Sequence, residues 1–210
     1  MASRRVLITG MGVVTPLGCS VDQLWDGLIS GRSGIWPLKL FDCTTFDTRI
    51  AGECRDFEPE RWIDRKLIKR MDRFSQLALG AGIEAVADSG LDCTKMDPYR
   101  MGVIVGSGIG GIDELEQQHL RLLEKGPSKV SAFTIPKLMV NAASAVISIQ
   151  FGTCGPCTAV VTACASATNA MGDALHSIRR GETDVMITGG SEAAVTTLGV
   201  GAFNAMHALS

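Results

Sequence analysis

A chain of 210 residues with 46% hydrophobic and only 20% charged side chains can bury a sizeable core in one or two domains, which argues against a disordered chain. A formal net charge of −2 gives no global attraction to nucleic acid or to an anionic membrane, so any basic docking surface has to be local. Seven scattered cysteines, an odd number, fit a reducing compartment better than a disulfide framework.

The first stretch, MASRRVLITGMGVV, lacks both a signal-peptide core with its cleavage site and a long Arg/Ser-rich transit segment. Residues 4–14, RRVLITGMGVV, read as a buried strand running into a glycine turn. SVDQLWDGLISG predicts a short helix between Ser20 as N-cap and Gly31 as stop. Residues 36–60 show no clear period and are expected to form an irregular surface excursion. From Arg61 to Arg73 the chain is dense in Arg and Lys, and DRFSQLALGAGIEAVADSG then predicts a small-residue helix ending at Gly90.

RMGVIVGSG is a second buried strand, and GIDELEQQHLRLLEKG is a helix with Leu115, Leu122 and Leu123 as its apolar stripe. Pro136 is expected to start a helix running through Ile149. TAVVTA, CASATNAMGDALHSIRRG and DVMITGG then read as strand, helix and strand. This alternation predicts an α/β layered fold around a largely buried sheet. The most apolar stretch, Phe133 to Phe151, is interrupted by Lys137, Asn141 and Gln150, so no membrane span is expected.

Two motifs invite a functional reading that their surroundings do not support. GSGIGG, Gly106 to Gly111, has the spelling of a dinucleotide fingerprint. That fingerprint also needs an acidic residue about 20 positions on, at the end of the next strand, to hold the ribose. KGPSKVSAFTIP supplies neither the strand nor the acid, so the turn is expected to serve close helix–sheet approach.

CGPC, Cys154 to Cys157, resembles a redox pair, but that chemistry relies on a helix N-terminus behind the first thiol. Thr-Ala-Val-Val-Thr follows instead, which is strand-forming. A single C-x-x-C without a partner pair, and histidines at no ligand spacing, imply no metal site. These two cysteines are read as small buried thiols flanking a Gly-Pro turn, and Cys19, Cys43, Cys54 and Cys93 as ordinary structural thiols.

Cys164 stands where the TAVVTA strand hands over to a helix N-terminus. Unpaired N–H groups and the positive end of the helix dipole favour a thiolate there. Ala165, Ser166 and Ala167 are small enough to let a substrate approach. A cysteine nucleophile suits acyl groups carried as thioesters, because thiol–thioester exchange is close to isoenergetic. A buried structural cysteine at an element boundary is the alternative.

The block VTACASATNAMGDALHSIRRGETDVMITGGSEA resembles the active-site region of β-ketoacyl-acyl-carrier-protein synthases, the condensing enzymes of fatty-acid synthesis. RRVLITGMGVVTPLG, WDGLISGRSGI, KRMDRFSQLAL, GSGIGG and GVGAFNAMHALS agree with the same family, in order and across essentially the whole chain. The elongating, type II members are the most similar. The resemblance implies the thiolase-like fold, a layered α-β-α-β-α core of which this chain supplies one βαβαβαββ half, residues 1–210. It also implies a homodimer, no cofactor, and acyl carrier protein as partner.

The family's roles then fall on particular residues here. Cys164 matches the nucleophile that receives the acyl chain, and its N–H half of the oxyanion hole. Ile109 matches a residue gating the acyl pocket; Ala194, Leu198, Gly199 and Phe203 match pocket walls; Phe133 matches a residue contributed across the dimer interface. Arg65, Lys66, Lys69 and Arg70 match the surface that docks the acidic carrier, although Asp64 and Asp72 also fit a plain solvated face. The expected location is the cytoplasm, or an organelle matrix after processing.

Family members are longer, and their second half brings two histidines, a lysine and a gating phenylalanine for the malonyl step. His119, His176 and His207 do not match those histidines, so this chain is expected to be acylated at most and to leave a large apolar face uncovered. Rival readings are a polyketide-type ketosynthase, a non-catalytic dimerising or carrier-binding subunit, and a thiol oxidoreductase on Cys154 and Cys157.

Overall fold

Three parallel strands, ordered β4-β3-β5, organise the computed structural model, which describes residues 4–209. Along the chain the helices are α1 (Val21–Ile29), α2 (Arg65–Ile68), α3 (Arg73–Ser89), α4 (Ile112–Lys125), α5 (Thr134–Leu138), α6 (Ala142–Phe151), α7 (Ser166–Arg180) and α8 (Thr197–Ala205). The sheet strands are β3 (Met101–Gly106), β4 (Cys157–Val160) and β5 (Val185–Gly190). A separate two-residue ladder joins β1 (Trp36–Pro37) to β2 (Ile50–Ala51), antiparallel, inside the otherwise irregular 36–60 excursion.

Every residue of β3 is buried, as a central parallel strand covered on both faces requires. Its alternating side chains separate two packing layers. Val103 and Val105 join Phe74, Ala78 and Leu79 of α3 and Ala142, Ala143 and Ile147 of α6 in the core cluster. On the other face α7 packs across the sheet, its first turn meeting Gly106 and Gly190 at strand ends. In register, Gly106 lies opposite both Val160 and Gly190, so all three strands finish together beneath that turn.

Helix α3 has the ends its sequence predicts. Asp72 accepts a hydrogen bond from the Phe74 N–H, and Gly90 closes the helix at φ 66°. Ser20 caps α1 in the same way, accepting from the Gln23 N–H. No helix among the described residues is long and apolar enough to cross a membrane.

Three expectations need correction. Residues 4–14 join no sheet, and residues 10–13 lie along α3 instead, where side chains of that helix rather than a strand take up their N–H groups. There the N–H groups of Met11 and Val13 donate to the carboxylates of Asp88 and Glu84, at 2.8 Å each. Gly12 makes the approach feasible, since a Cβ would stand 2.0 Å from the Ala81 carbonyl oxygen. Leu7 and Ile8 are left exposed, at 70% and 84%.

Helix α4 turns its Leu115, Leu122 and Leu123 outward and buries Ile112, Glu114 and Gln118. Those polar groups tolerate burial because each is partnered: Lys137 Nζ lies 2.8 Å from Glu114, and Gln118 Oε1 accepts from the Ser131 N–H at 2.9 Å. The single helix expected from Pro136 to Ile149 is two helices, α5 and α6. Pro136 falls in the first turn of α5, where its missing N–H is harmless, and Met139 adopts an extended ψ of 134° that ends that helix. Large apolar side chains also stand exposed on α6 (Ile149) and α8 (Leu198), in keeping with the expected uncovered face.

Candidate active site

Cys164 lies in a 3₁₀ turn, Ala163–Ala165, directly before the first residue of α7. The turn sits above the carboxyl ends of the parallel strands, where open α/β sheets bind their ligands. Ala163 has φ 50°, a left-handed conformation that costs an L-residue roughly 1–2 kcal/mol. Its neighbours hold it there. Ser166 Oγ accepts from the Thr162 N–H at 2.9 Å and donates to the Ala163 carbonyl at 2.7 Å. Asn169 Nδ2 donates to Thr162 Oγ1 at 2.7 Å, and the Ala165 N–H reaches the Thr162 carbonyl. The Cys164 side chain is exposed, and Ala165 at the N-cap offers no side-chain acceptor to the first N–H groups of α7.

Ser166 therefore does something other than leave room for substrate: it is buried and its hydroxyl clasps the turn. Ser166→Ala is expected to lower stability by about 1–3 kcal/mol, the range for a buried group left without its partner, and to slow any reaction of Cys164. Denaturant titration together with the rate of thiol modification at Cys164 measures both. A variant as stable and as reactive as the parent would remove this role.

The GSGIGG turn joins β3 to α4, as expected. Glu192, just past β5, fills the place a phosphate would take: its Oε2 accepts from the N–H groups of Gly108 at 2.7 Å and Ile109 at 3.1 Å. Ser107 Oγ donates to Glu192 Oε1 at 3.3 Å and accepts from the Gly110 N–H at 3.2 Å. With its donors engaged by a carboxylate of this chain, the loop is no phosphate cradle.

CGPC folds as a turn, with Cys154 and Gly155 donating their N–H groups to Pro98 and Met101 carbonyls. Cys157 opens a strand rather than a helix. Both side chains are exposed, not buried as expected, because the turn lies at the entrance to edge strand β4. Partial desolvation where the exposed side chain meets the protein still pushes the Cys157 thiol up from its ordinary value, only partly offset by the hydrogen bond to Ser148. The same cause raises Cys19, Cys54 and Cys93.

The other residues singled out in the sequence occupy several places. Ile109 is exposed on the loop held by Glu192. Leu198 lies in the first turn of α8, its N–H donating to Glu116 Oε1 of α4 at 2.7 Å, and Phe203 lies exposed further along that helix. Gly199 is buried against Ala194, whose carbonyl oxygen would stand 2.2 Å from a Cβ there. A cleft of about 500 Å³ lies between the 40–55 segment, α4 and residues 192–197; of the expected pocket residues only Ala194 lines it, beside Glu116 and Glu192. Phe133 flanks α5, and the Arg70 guanidinium lies 5.0 Å from its ring centroid.

Arg65, Lys66, Lys69 and Arg70 are all exposed and, among the described residues, form no ion pair. The interspersed acids are engaged elsewhere. Asp64 accepts from the Lys66 N–H, and buried Asp72 accepts from the N–H groups of Phe74 and Glu114. Burial raises the Asp72 carboxyl above its ordinary value despite those bonds. Two residues in this region could not have been picked from the sequence, Ser166 and Glu192, because neither spacing nor residue type marks a side chain that serves a distant backbone.

Comparison with known proteins follows the same outline. Residues 3–210 match the family profile described as "Beta-ketoacyl synthase, N-terminal domain". The chain is 44% identical over 210 residues to "3-oxoacyl-[acyl-carrier-protein] synthase 2" of Coxiella burnetii (strain RSA 493 / Nine Mile phase I), covering 100% of this chain and 51% of that protein. It thus spans about half the length of the curated relatives it matches. Among solved structures, "The ishigamide ketosynthase/chain length factor" superposes with a TM-score of 0.92 at 33% identity, over 100% of this chain and 52% of the other. A type II ketosynthase, AntDE, solved with its acyl-carrier protein AntF, gives 0.83 at 26% identity, over 96% and 55%.

Proposed function

The chain belongs to the β-ketoacyl synthase family, with the thiolase-like α/β fold of its structural neighbours, and we propose that it supplies the acyl-accepting half of a 3-oxoacyl-acyl-carrier-protein synthase. The observation that carries this reading is the exposed Cys164 thiol, held on a strained turn at the carboxyl ends of three strands and at the start of a fifteen-residue helix. Its sulfur attacks the carbonyl of an acyl thioester; the bond to the carrier's thiol breaks, and that thiol leaves with a proton. The Cys164 N–H stabilises the oxyanion formed in between. In the second half-reaction malonyl-carrier loses CO₂, the resulting carbanion attacks the Cys164 thioester, and a β-ketoacyl-carrier is released. Ile109 gates the acyl pocket, and Phe133, Ala194, Leu198, Gly199 and Phe203 shape it.

Fatty-acid elongation is favoured over polyketide synthesis by the higher identity to the fatty-acid enzyme, 44% against 33% and 26% for the ketosynthase structures. A retained, exposed Cys164 speaks against a subunit that only binds the carrier. A homodimer and a cytoplasmic location are the arrangement we carry over from the family, and the exposed apolar side chains leave room for a protein surface against them.

The carrier partner is acidic, and the exposed row Arg65, Lys66, Lys69 and Arg70, which forms no ion pair among the described residues, is its docking surface. Reversing Lys66 and Lys69 to Glu is expected to slow carrier-linked acylation about tenfold or more at low ionic strength, with the difference shrinking as salt shortens the screening length. Acylation by a small, carrier-free thioester serves as the internal control. Equal rates for the reversed and parent proteins at low salt would reject the docking surface and leave the nucleophile untouched.

A further inference from the structure

We propose that Glu192 is a positioning residue that fixes the 107–110 loop against the Cys164 turn, and that it thereby sets which acyl chains Ile109 admits. The inference rests on the acyl-transfer reading above, and goes beyond it by assigning a role to a side chain outside the nucleophile, the pocket walls and the docking surface.

Glu192 hangs from a rigid point. Its neighbour Ser191 donates its N–H to the Gly106 carbonyl at 3.0 Å and its hydroxyl to the Phe74 carbonyl at 2.7 Å, tying the backbone to β3 and α3 together. From there the carboxylate holds three successive N–H groups, those of Gly108 and Ile109 directly and that of Gly110 through Ser107. Hydrogen bonds to an ionised acceptor are the stronger kind. The loop lies close to the turn that carries the nucleophile: a Cβ on Gly108 would lie 3.0 Å from Glu192 Oε2 and 3.7 Å from Ala163 Cα, one residue before Cys164. The loop's far end is held differently, by backbone, where Gly111 donates its N–H to the Leu138 carbonyl at 3.2 Å. Glu192 is thus a side-chain anchor on the edge that faces Cys164, and removing it frees Ile109 on that edge alone.

Both oxygens are used, which predicts a graded series. In Glu192→Gln the amide oxygen still accepts from Gly108 and Ile109, while the amide N–H₂ faces Ser107 Oγ, which can accept. Glu192→Ala loses every contact. Because Glu192 is exposed, neither change removes core packing.

The test measures single-turnover acylation of Cys164 by a short and a long acyl thioester, with amide hydrogen exchange at Gly108, Ile109 and Gly110 followed in parallel. We expect Glu192→Ala to change the long-to-short rate ratio by about tenfold, the scale on which a pocket discriminates methylenes, and to speed exchange at the three amides. Glu192→Gln should restore most of both. An unchanged ratio in Glu192→Ala, with Cys164 acylated, overturns the inference. If the parent protein is not acylated at all, the acyl-transfer reading has failed instead. Exchange then judges the anchor by itself: faster exchange in the Ala variant with rescue by Gln upholds it, and unchanged exchange overturns it.

Discussion

Cys164→Ser and Cys164→Ala are expected to abolish acyl-adduct formation, a loss on the order of 10³-fold or more in the rate of acyl transfer. A serine hydroxyl is a far weaker nucleophile than a thiol at neutral pH, and no base among the observed contacts of this turn would activate it; its polar partners are Ser166 and Asn169. The check is mass spectrometry of mapped peptides after incubation with an acyl-carrier thioester. The parent protein should carry the acyl group on the peptide containing Cys164 and leave Cys154 and Cys157 free. Partial desolvation shifts the Cys157 thiol away from the thiolate, and Cys154 lies in a turn where its sulfur and its N–H both donate to backbone carbonyls, those of Gly152 and Pro98. An adduct that persists in Cys164→Ala, or that forms first on Cys154, would sink the assignment of the nucleophile.

How far the sequence announces this arrangement depends on whether the signal is local. The N-cap of α1 and the end of α3 were legible because Ser20 and Gly90 act on backbone a few residues away, whereas Asp72, which fitted a solvated face, is buried as the cap of α3. The run MGVIVG was legible as a buried strand because a strand covered on both faces needs no alternation. Residues 4–14 carry the same apolar signal, yet which strand occupies which sheet position is decided by competition among distant segments, and here β4 and β5 flank β3. The leucines of α4 show a helical stripe, but Glu114 and Gln118 take the buried side because Lys137 and the Ser131 N–H meet them there. Helix α8 was not anticipated from periodicity, since its glycines and alanines spread hydrophobicity around the whole helix; Thr196, which accepts from the Gly199 N–H, was the only local mark. At the site, Cys164 could be placed from strand and helix signals on either side. The clasp by Ser166 and the anchor by Glu192 could not, since each depends on where folding brings a carbonyl or an N–H.

The geometry beneath Cys164 implies a second large effect. In Gly106→Ala the new Cβ would stand 2.3 Å from the Ser166 carbonyl oxygen, 2.4 Å from its carbonyl carbon and 2.8 Å from its Cβ. Two of those atoms are backbone, so no side-chain rotation relieves the clash. Gly106 is itself fixed, paired in register with Val160 and Gly190 and accepting the Ser191 N–H. The first turn of α7 has to lift instead, carrying Ser166 and the turn it clasps. A loss of roughly 1–3 kcal/mol or more is expected from overpacking, together with strongly reduced acylation at Cys164. Gly172, in the interior of the same helix, has open space around it, and Gly172→Ala is expected to raise stability by about 0.5–1 kcal/mol through helix propensity alone. Denaturant midpoints and acylation rates of the two variants, measured side by side, separate the cases. If Gly106→Ala matched Gly172→Ala in both, close contact between β3 and α7 would not be what positions the nucleophile.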